Sequence, residues 1–171
     1  MNSRIAFLVR LVAVAFALAG GTGVAFGADA PKDFSITLTS APRHVQNPLQ
    51  VESITITADG TAILSARLEE GEALPAETVH LAPDEVEAVY NAIVNSNFFD
   101  LKPLYANPDI LDGDFATIQV TANGTTHDVR TENIRVLDFI LIAAAVNARV
   151  PPSRAIIFNA LVDPDYPEIK R

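Results

Sequence analysis

The stretch FATIQVTANGTTHDVRT, residues 115–131, decides the fold, because it reads as a β-hairpin with a computable register. Asn123-Gly124 separates two alternating runs, and this pair accepts the positive φ that both central positions of a type I′ turn require. A two-residue turn sets Ala122 opposite Thr125, Val120 opposite His127, Ile118 opposite Val129 and Ala116 opposite Thr131. One face is then apolar apart from a single His. The other pairs Thr117 with Arg130 and Gln119 with Asp128, which is a solvated face.

Upstream, Asp33–Thr39 alternates through Phe34, Ile36 and Leu38 and predicts a half-buried strand. Ala41 to Pro48 breaks the pattern with two Pro, Asn47 and His44, and is read as a loop. Val51–Thr57 alternates again, Asp59-Gly60 suits a two-residue turn, and Thr61–Leu68 returns. In that register Ile56 faces Ile63 and Ile54 faces Ser65, with Thr55 and Leu64 on the opposite face. Glu69, Glu70 and Glu72 make an acidic, solvated loop, and Pro75–His80 is an extended approach to a helix.

Leu81-Ala82-Pro83-Asp84-Glu85-Val86 has the chemistry of a helix start: Pro at the first helical position, acids where the dipole favours them, and a Leu81–Val86 staple. Val86, Val89, Tyr90 and Ile93 form one apolar stripe, and Asn95-Ser96-Asn97 ends the helix. Phe98, Phe99 and Leu101 are expected to close one edge of the core. Beyond the 115–131 hairpin, Asn133 is expected to cap a helix running from Ile134 to about Ala148. Its apolar residues surround the axis, so its second face needs a cover. The tail, 151–171, supplies Ile156, Ile157, Phe158, Leu161 and Val162 for that purpose; a homodimer contact is the rival. The order is β, ββ, α, ββ, α: an α+β domain with a largely antiparallel sheet of about five strands, two helices on one face and a C-terminal tail.

Composition bounds the chemistry. The 171 residues hold 12 Lys+Arg against 21 Asp+Glu, 49% hydrophobic residues, three His and no Cys. Disulfides, thiolate metal sites and cysteine nucleophiles are therefore excluded, and a net charge of -9 argues against nucleic acid and anionic lipid as partners. Arg4, an apolar run from Ile5 to Leu18 broken by Arg10, and the small-x-small pattern Ala25-Phe26-Gly27 before Ala28 read as a signal peptide over 1–27. The rival is a retained anchor, although Leu11–Phe26 falls short of the roughly 20 residues a bilayer span needs. Without Arg4 and Arg10 the remaining chain, 28–171, keeps 10 basic residues against 21 acids, net -11. It is expected to be one domain, periplasmic or extracellular, with no membrane span after cleavage.

Candidate chemistry is sparse. No Gly-x-Ser-x-Gly elbow is present, so a hydrolase triad has no nucleophile to build on. His127, on the apolar face, is either an acid–base group or a core-edge His satisfied by a neighbour; His44 and His80 read as loop residues. Asn107, Asp109, Asp112 and Asp114 put four oxygen-bearing side chains within eight residues, so Asp109, Asp112 and Asp114 are weak calcium candidates. Their spacing matches no EF-hand loop, and a solvated turn explains them equally well. No cofactor is expected.

Together, Ser53–Thr61, the helix opening Leu81–Glu85, the run Asn97-Phe98-Phe99-Asp100-Leu101 and the strand Ala116–Val120 resemble a widespread, uncharacterised bacterial exported domain family with an Ile-x-x-Asp-Gly hairpin and a Phe-Phe-x-Leu end. The helix, the Phe-Phe-x-Leu run and the second hairpin are also similar to emfourin, a small protein inhibitor of thermolysin-like metalloproteases. The resemblance spans about residues 50–145 and consists of core and turn residues, so it bears on fold. The first hairpin and the long tail depart from the compact emfourin pattern, and no inhibitory contact residue carries over. The expectation is an exported, non-enzymatic binding module for an unknown protein or small ligand; the alternative implied by resemblance is a metalloprotease inhibitor.

Overall fold

The computed structural model describes residues 29–42, 50–68, 71–110, 114–163 and 166–169. The strands of the main sheet are β1 (Ser35–Pro42), β2 (Gln50–Thr57), β3 (Thr61–Leu68), β4 (Glu77–His80), β5 (Leu104–Ala106), β6 (Asp114–Ala122) and β7 (Thr125–Glu132). They form a seven-stranded sheet in the order β4-β3-β2-β1-β6-β7-β5, antiparallel throughout except where β5 runs parallel to β7. The five expected strands are all present. The two additions, β4 and β5, are edge strands of four and three residues, too short to show alternation in sequence. They form because β3 and β7 would otherwise end the sheet with unpaired N–H and C=O groups.

β1 lies between the two hairpins, pairing with β2 on one side and β6 on the other. Its Ile36 and Leu38 are fully buried, beside Ile54 and Ile56 of β2 and Ile118 and Val120 of β6. The β6–β7 hairpin has the expected register, from Ala122 opposite Thr125 to Ala116 opposite Thr131, with φ of 52° at Asn123 and 75° at Gly124. The Asp33 carboxylate clasps this turn, accepting the Asn123 N–H at 3.0 Å and the Gly124 N–H at 2.6 Å, which fixes the start of β1 against it.

The first hairpin corrects the sequence reading by one residue. Its loop has three residues, Ala58-Asp59-Gly60, and pairs Ile56 with Ala62, Thr55 with Ile63 and Ile54 with Leu64. Only this register places Ile54, Ile56, Ala62 and Leu64 on one face; a two-residue turn would have sent Leu64 to solvent. Local hydrogen bonds hold the loop in this form. Asp59 Oδ1 accepts from Thr57 Oγ1 at 2.7 Å and the Thr61 N–H at 3.0 Å, and Gly60 alone takes the positive φ, at 83°. Gly60 also meets the entry to the next helix: its carbonyl accepts the Leu81 N–H at 2.8 Å, and a Cβ there would lie 2.5 Å from the Leu81 carbonyl oxygen.

Helix α1 (Pro83–Asn95) begins as its sequence dictates. Pro83 occupies the first turn, Glu85 Oε2 accepts the Ala82 N–H at 2.9 Å, and Leu81 and Val86 are buried. Val86, Val89, Tyr90 and Ile93 are its buried stripe, and Tyr90 meets Phe34 edge to face. Asn97 in the left-handed region turns the chain into a 3₁₀ turn over Phe98–Asp100. Phe98 and Leu101 close the core edge as expected; Phe99 stays partly exposed.

The second helix begins later than expected. α2 spans Leu137–Asn147, and Asn133 does not cap it. Asn133 is instead left-handed and buried, its Nδ2 donating to the Ile110 carbonyl at 2.8 Å. Residues 135–136 form β8 (Arg135–Val136), which pairs in parallel with β9 (Glu168–Ile169) of the tail. Tertiary pairing thus takes two residues that propensity would have placed in the helix. The tail does cover part of α2: Asn147 brackets Ile156 with two hydrogen bonds of 2.8 and 2.9 Å, Phe158 meets Phe139 edge to face, and one turn of helix, α3 (Asn159–Val162), follows. It leaves Leu137 and Leu141 half exposed, so the all-round burial expected of this helix is incomplete among the described residues. Among the described residues no helix is long and apolar enough to cross a membrane. The expected leader, 1–27, lies outside the described residues, as does His44.

Two outcomes follow for stability. Gly60→Ala should cost about 2 kcal/mol or more, since it adds positive-φ strain to a backbone collision, and urea unfolding reads the loss directly. Asp33 is held below its ordinary value of 3.8, chiefly by the Gly124 N–H, with loss of solvation opposing and the Asn123 N–H adding to the effect. A lowered folded-state pKa means that the clasp stabilises above the unfolded value and is lost as pH falls through the folded one. Asp33→Asn should therefore melt below wild type at about neutral pH, with the gap closing at pH values well below about 4 in thermal melts.

Candidate functional site

The alternation that buries one face of the sheet aims a second set of side chains at the other, and neither α1 nor α2 lies there. Across the three central strands this open face is a field of hydroxyls: Ser35, Thr37 and Thr39 on β1, Ser53, Thr55 and Thr57 on β2, Thr117 and Thr121 on β6. Register aligns them into rows that cross the sheet. One runs Ser65–Ser53–Thr39–Thr117–Arg130, and the next Ile63–Thr55–Thr37–Gln119–Asp128. Several neighbours hydrogen-bond to one another: Thr37 Oγ1 to Thr55 Oγ1 at 3.0 Å, Ser53 Oγ to Ser65 Oγ at 2.8 Å, Thr121 Oγ1 to Thr126 Oγ1 at 2.8 Å. Gln119 Nε2 donates to Asp128 Oδ1 at 2.8 Å. Each hydroxyl has one donor and two acceptor positions, so a paired hydroxyl keeps capacity for a further bond.

One part of this face is concave. A groove of about 340 Å³ has Thr37, Thr39, Ser53 and Ser65 among its lining residues, together with Val51, Arg67 and the segment Ala73–Ala76. The wall exists because the chain turns back at Gly71 and returns along β3, with an isolated bridge between Arg67 and Ala73 and the Leu74 N–H donating to the Ala66 carbonyl. The groove is thus small side chains and hydroxyls below, apolar residues on the wall and one cation among its lining side chains. At the far end of the face Arg130 sits 3.9 Å above the Phe115 ring and pairs with Glu132 at 2.6 Å. A second hollow of about 270 Å³, lined by Tyr90, Ile93, Val94, Asn97, Phe98, Phe99, Asp100 and Asn123, lies at the end of α1 and is largely apolar.

The residues singled out from sequence are dispersed. His127 is half-buried on the core side of β7, its Nε2 2.9 Å from the Leu101 carbonyl and its ring within 5.5 Å of Phe98 and 6.2 Å of Phe99, centroid to centroid. Since a carbonyl only accepts, Nε2 carries a proton and donates. That interaction fixes the Phe98–Leu101 segment against the sheet. His80 is exposed on the edge strand β4. Asp109 is exposed in a turn where its N–H donates to Asn107 Oδ1 at 3.1 Å, whereas Asp114 is buried at the start of β6. Asp112 lies outside the described residues. Among the described residues no three His, Asp or Glu side chains converge on a point that would hold a metal ion. Asp114 acts elsewhere: after burial, its charge and that of Asp163 raise the Tyr166 phenol pKa, and the Tyr166 hydroxyl lies 3.4 Å from Asn133 Oδ1.

No protein-family model matches the chain, and no curated protein sequence matches it.

The groove is what the sequence reading missed. The polar alternates of each strand are visible in the sequence, but the adjacency of β1 to both β2 and β6 and the wall at 73–76 are not. His127→Ala should cost about 1–3 kcal/mol, from the lost Leu101 bond and the space left beside Phe98 and Phe99. A urea-unfolding midpoint that does not move would contradict this account of His127.

Proposed function

We propose that this protein is an exported, non-enzymatic binding module whose binding surface is the open face of the sheet, centred on the groove at Thr37, Thr39, Ser53, Ser65 and Arg67. The observation that carries the reading is the contrast between the two faces. Helices and tail cover one, while the other offers aligned hydroxyls and a 340 Å³ concavity, about the lower size limit of a small-ligand site. Hydroxyls cost less to desolvate than charged groups when a partner satisfies them, and each can either donate or accept. Such a surface therefore suits an uncharged polar partner better than an ion. The engagement of His127 with a backbone carbonyl supports a structural role for the imidazole in place of acid–base work. The resemblance to emfourin suggests one class of partner to try first, a thermolysin-like metalloprotease.

The test is heteronuclear NMR of the labelled full chain titrated with neutral oligosaccharides and, separately, with a thermolysin-like protease whose peptide hydrolysis is followed in parallel. Binding should shift amide signals of residues 37–39, 53 and 65 and vanish in Thr39→Arg, which fills the groove while keeping the strand. Stoichiometric inhibition that Thr39→Arg removes would identify the partner as a protease. Shifts confined to the helix layer, or a turnover that His127→Ala abolishes, would sink the proposal.

A further inference from the structure

Asn123-Gly124 is the one Asn-Gly pair in the chain, and both residues are exposed at the tip of the β6–β7 hairpin. Asn is a thermolabile residue, and a following Gly leaves the next backbone nitrogen without a side chain to shield it. The chemistry open to this pair needs only water. The Gly124 nitrogen, giving up its proton to solvent, attacks Asn123 Cγ; a bond forms between them, and the side-chain amide leaves as ammonia. The resulting five-membered cyclic imide is then opened by water at either carbonyl, which yields aspartate or isoaspartate at position 123.

Two features of the turn hold this reaction back. The left-handed φ values of Asn123 and Gly124 belong to a type I′ turn, the mirror image of type I, in which ψ of the first central residue is near about +30°. That value puts the Gly124 nitrogen on the far side of the Cα–C bond from the Asn123 Cβ. Ring closure needs both on the same side, so the turn must open before attack. The second feature is Asp33. Its carboxylate accepts the Asn123 N–H at 3.0 Å and the Gly124 N–H at 2.6 Å, so opening breaks two charge-assisted bonds. The same carboxylate lies beside the nitrogen that must lose its proton, and it repels the negative charge that develops there.

We propose that Asn123 is a site of spontaneous deamidation whose rate is set by the Asp33 clasp, and that conversion releases the start of β1 from the hairpin. Aspartate at 123 puts a carboxylate on a residue whose own N–H is bonded to Asp33, and Asp100 lines the same hollow as position 123. Isoaspartate adds a methylene to the backbone, which moves the Gly124 N–H away from Asp33 and breaks the two-residue loop that sets Ala122 opposite Thr125. Ammonia is lost in the first step, so the change runs one way. The joining strand is thereby loosened at the end where Ser35 pairs with Thr121.

The test stores the protein recovered after expression of the full chain in warm, mildly alkaline buffer. Mass spectrometry of the peptide carrying residue 123 follows the conversion, and an isoaspartyl methyltransferase counts the isoaspartate. Asp33→Ala should convert about fivefold faster than wild type or more, with Asp33→Asn, which keeps one acceptor oxygen, in between. Gly60→Ala weakens the fold without touching the clasp and should convert at the wild-type rate. Asn123→Gly keeps the positive φ and should give no product at this position. Asn123→Asp, the product itself, should melt below wild type, and the difference should shrink in the Asp33→Ala background. Equal rates in wild type and Asp33→Ala, a Gly60→Ala rate that matches Asp33→Ala, or an Asn123→Asp variant that melts with wild type overturns the proposal.

Discussion

The fold depends on β1. A single strand of eight residues joins two hairpins, and it does so by pairing along both of its edges at once. Ile36 and Leu38 reach full burial only because β2 and β6 flank them, and burial of such side chains is worth about 1.5–3 kcal/mol each. Without β1 the chain would consist of two hairpins with one helix apiece, and isolated hairpins are marginal in water. The Asp33 clasp on the Asn123-Gly124 turn fits that role, because it holds the start of the joining strand to the far hairpin across 90 positions of sequence.

Once the sheet exists, its buried face dictates the helix layer. The α1 stripe is narrow and its polar side is solvated, so α1 needs no cover beyond the sheet and its neighbouring helix. α2 is different: it packs on the sheet and on α1, and the tail then folds back over it through the Asn147–Ile156 bracket and the Phe139–Phe158 contact. Arg135 gathers the end of that tail, donating to the Asp163 carbonyl and facing Glu168 at 3.7 Å across the β8–β9 pair. Among the described residues, what the tail does not reach is the outward stripe of α2. The two faces of the molecule thus carry opposite chemistry, hydroxyls on the open sheet and leucine with alanine on the outer helix.

The sequence by itself determined the elements whose causes are local. Asn123-Gly124 and the alternation on either side fix the second hairpin residue by residue, and Pro83, Glu85 and the Leu81–Val86 staple fix the start of α1. His127 was legible as a core-edge imidazole, since its place opposite Val120 follows from register alone. Tertiary structure decided whatever depends on partners distant in sequence. The first hairpin takes a three-residue loop because the sheet needs Leu64 on the core face, and local turn preference could not see that face. β4 and β5 are strands only because β3 and β7 have open edges to fill. Asn133 gives up the capping role its sequence suggests because Ile110 and the tail hold it elsewhere. The groove belongs to this second class: its hydroxyls are written in the strands, but strand order made them neighbours, and a returning loop gave them a wall.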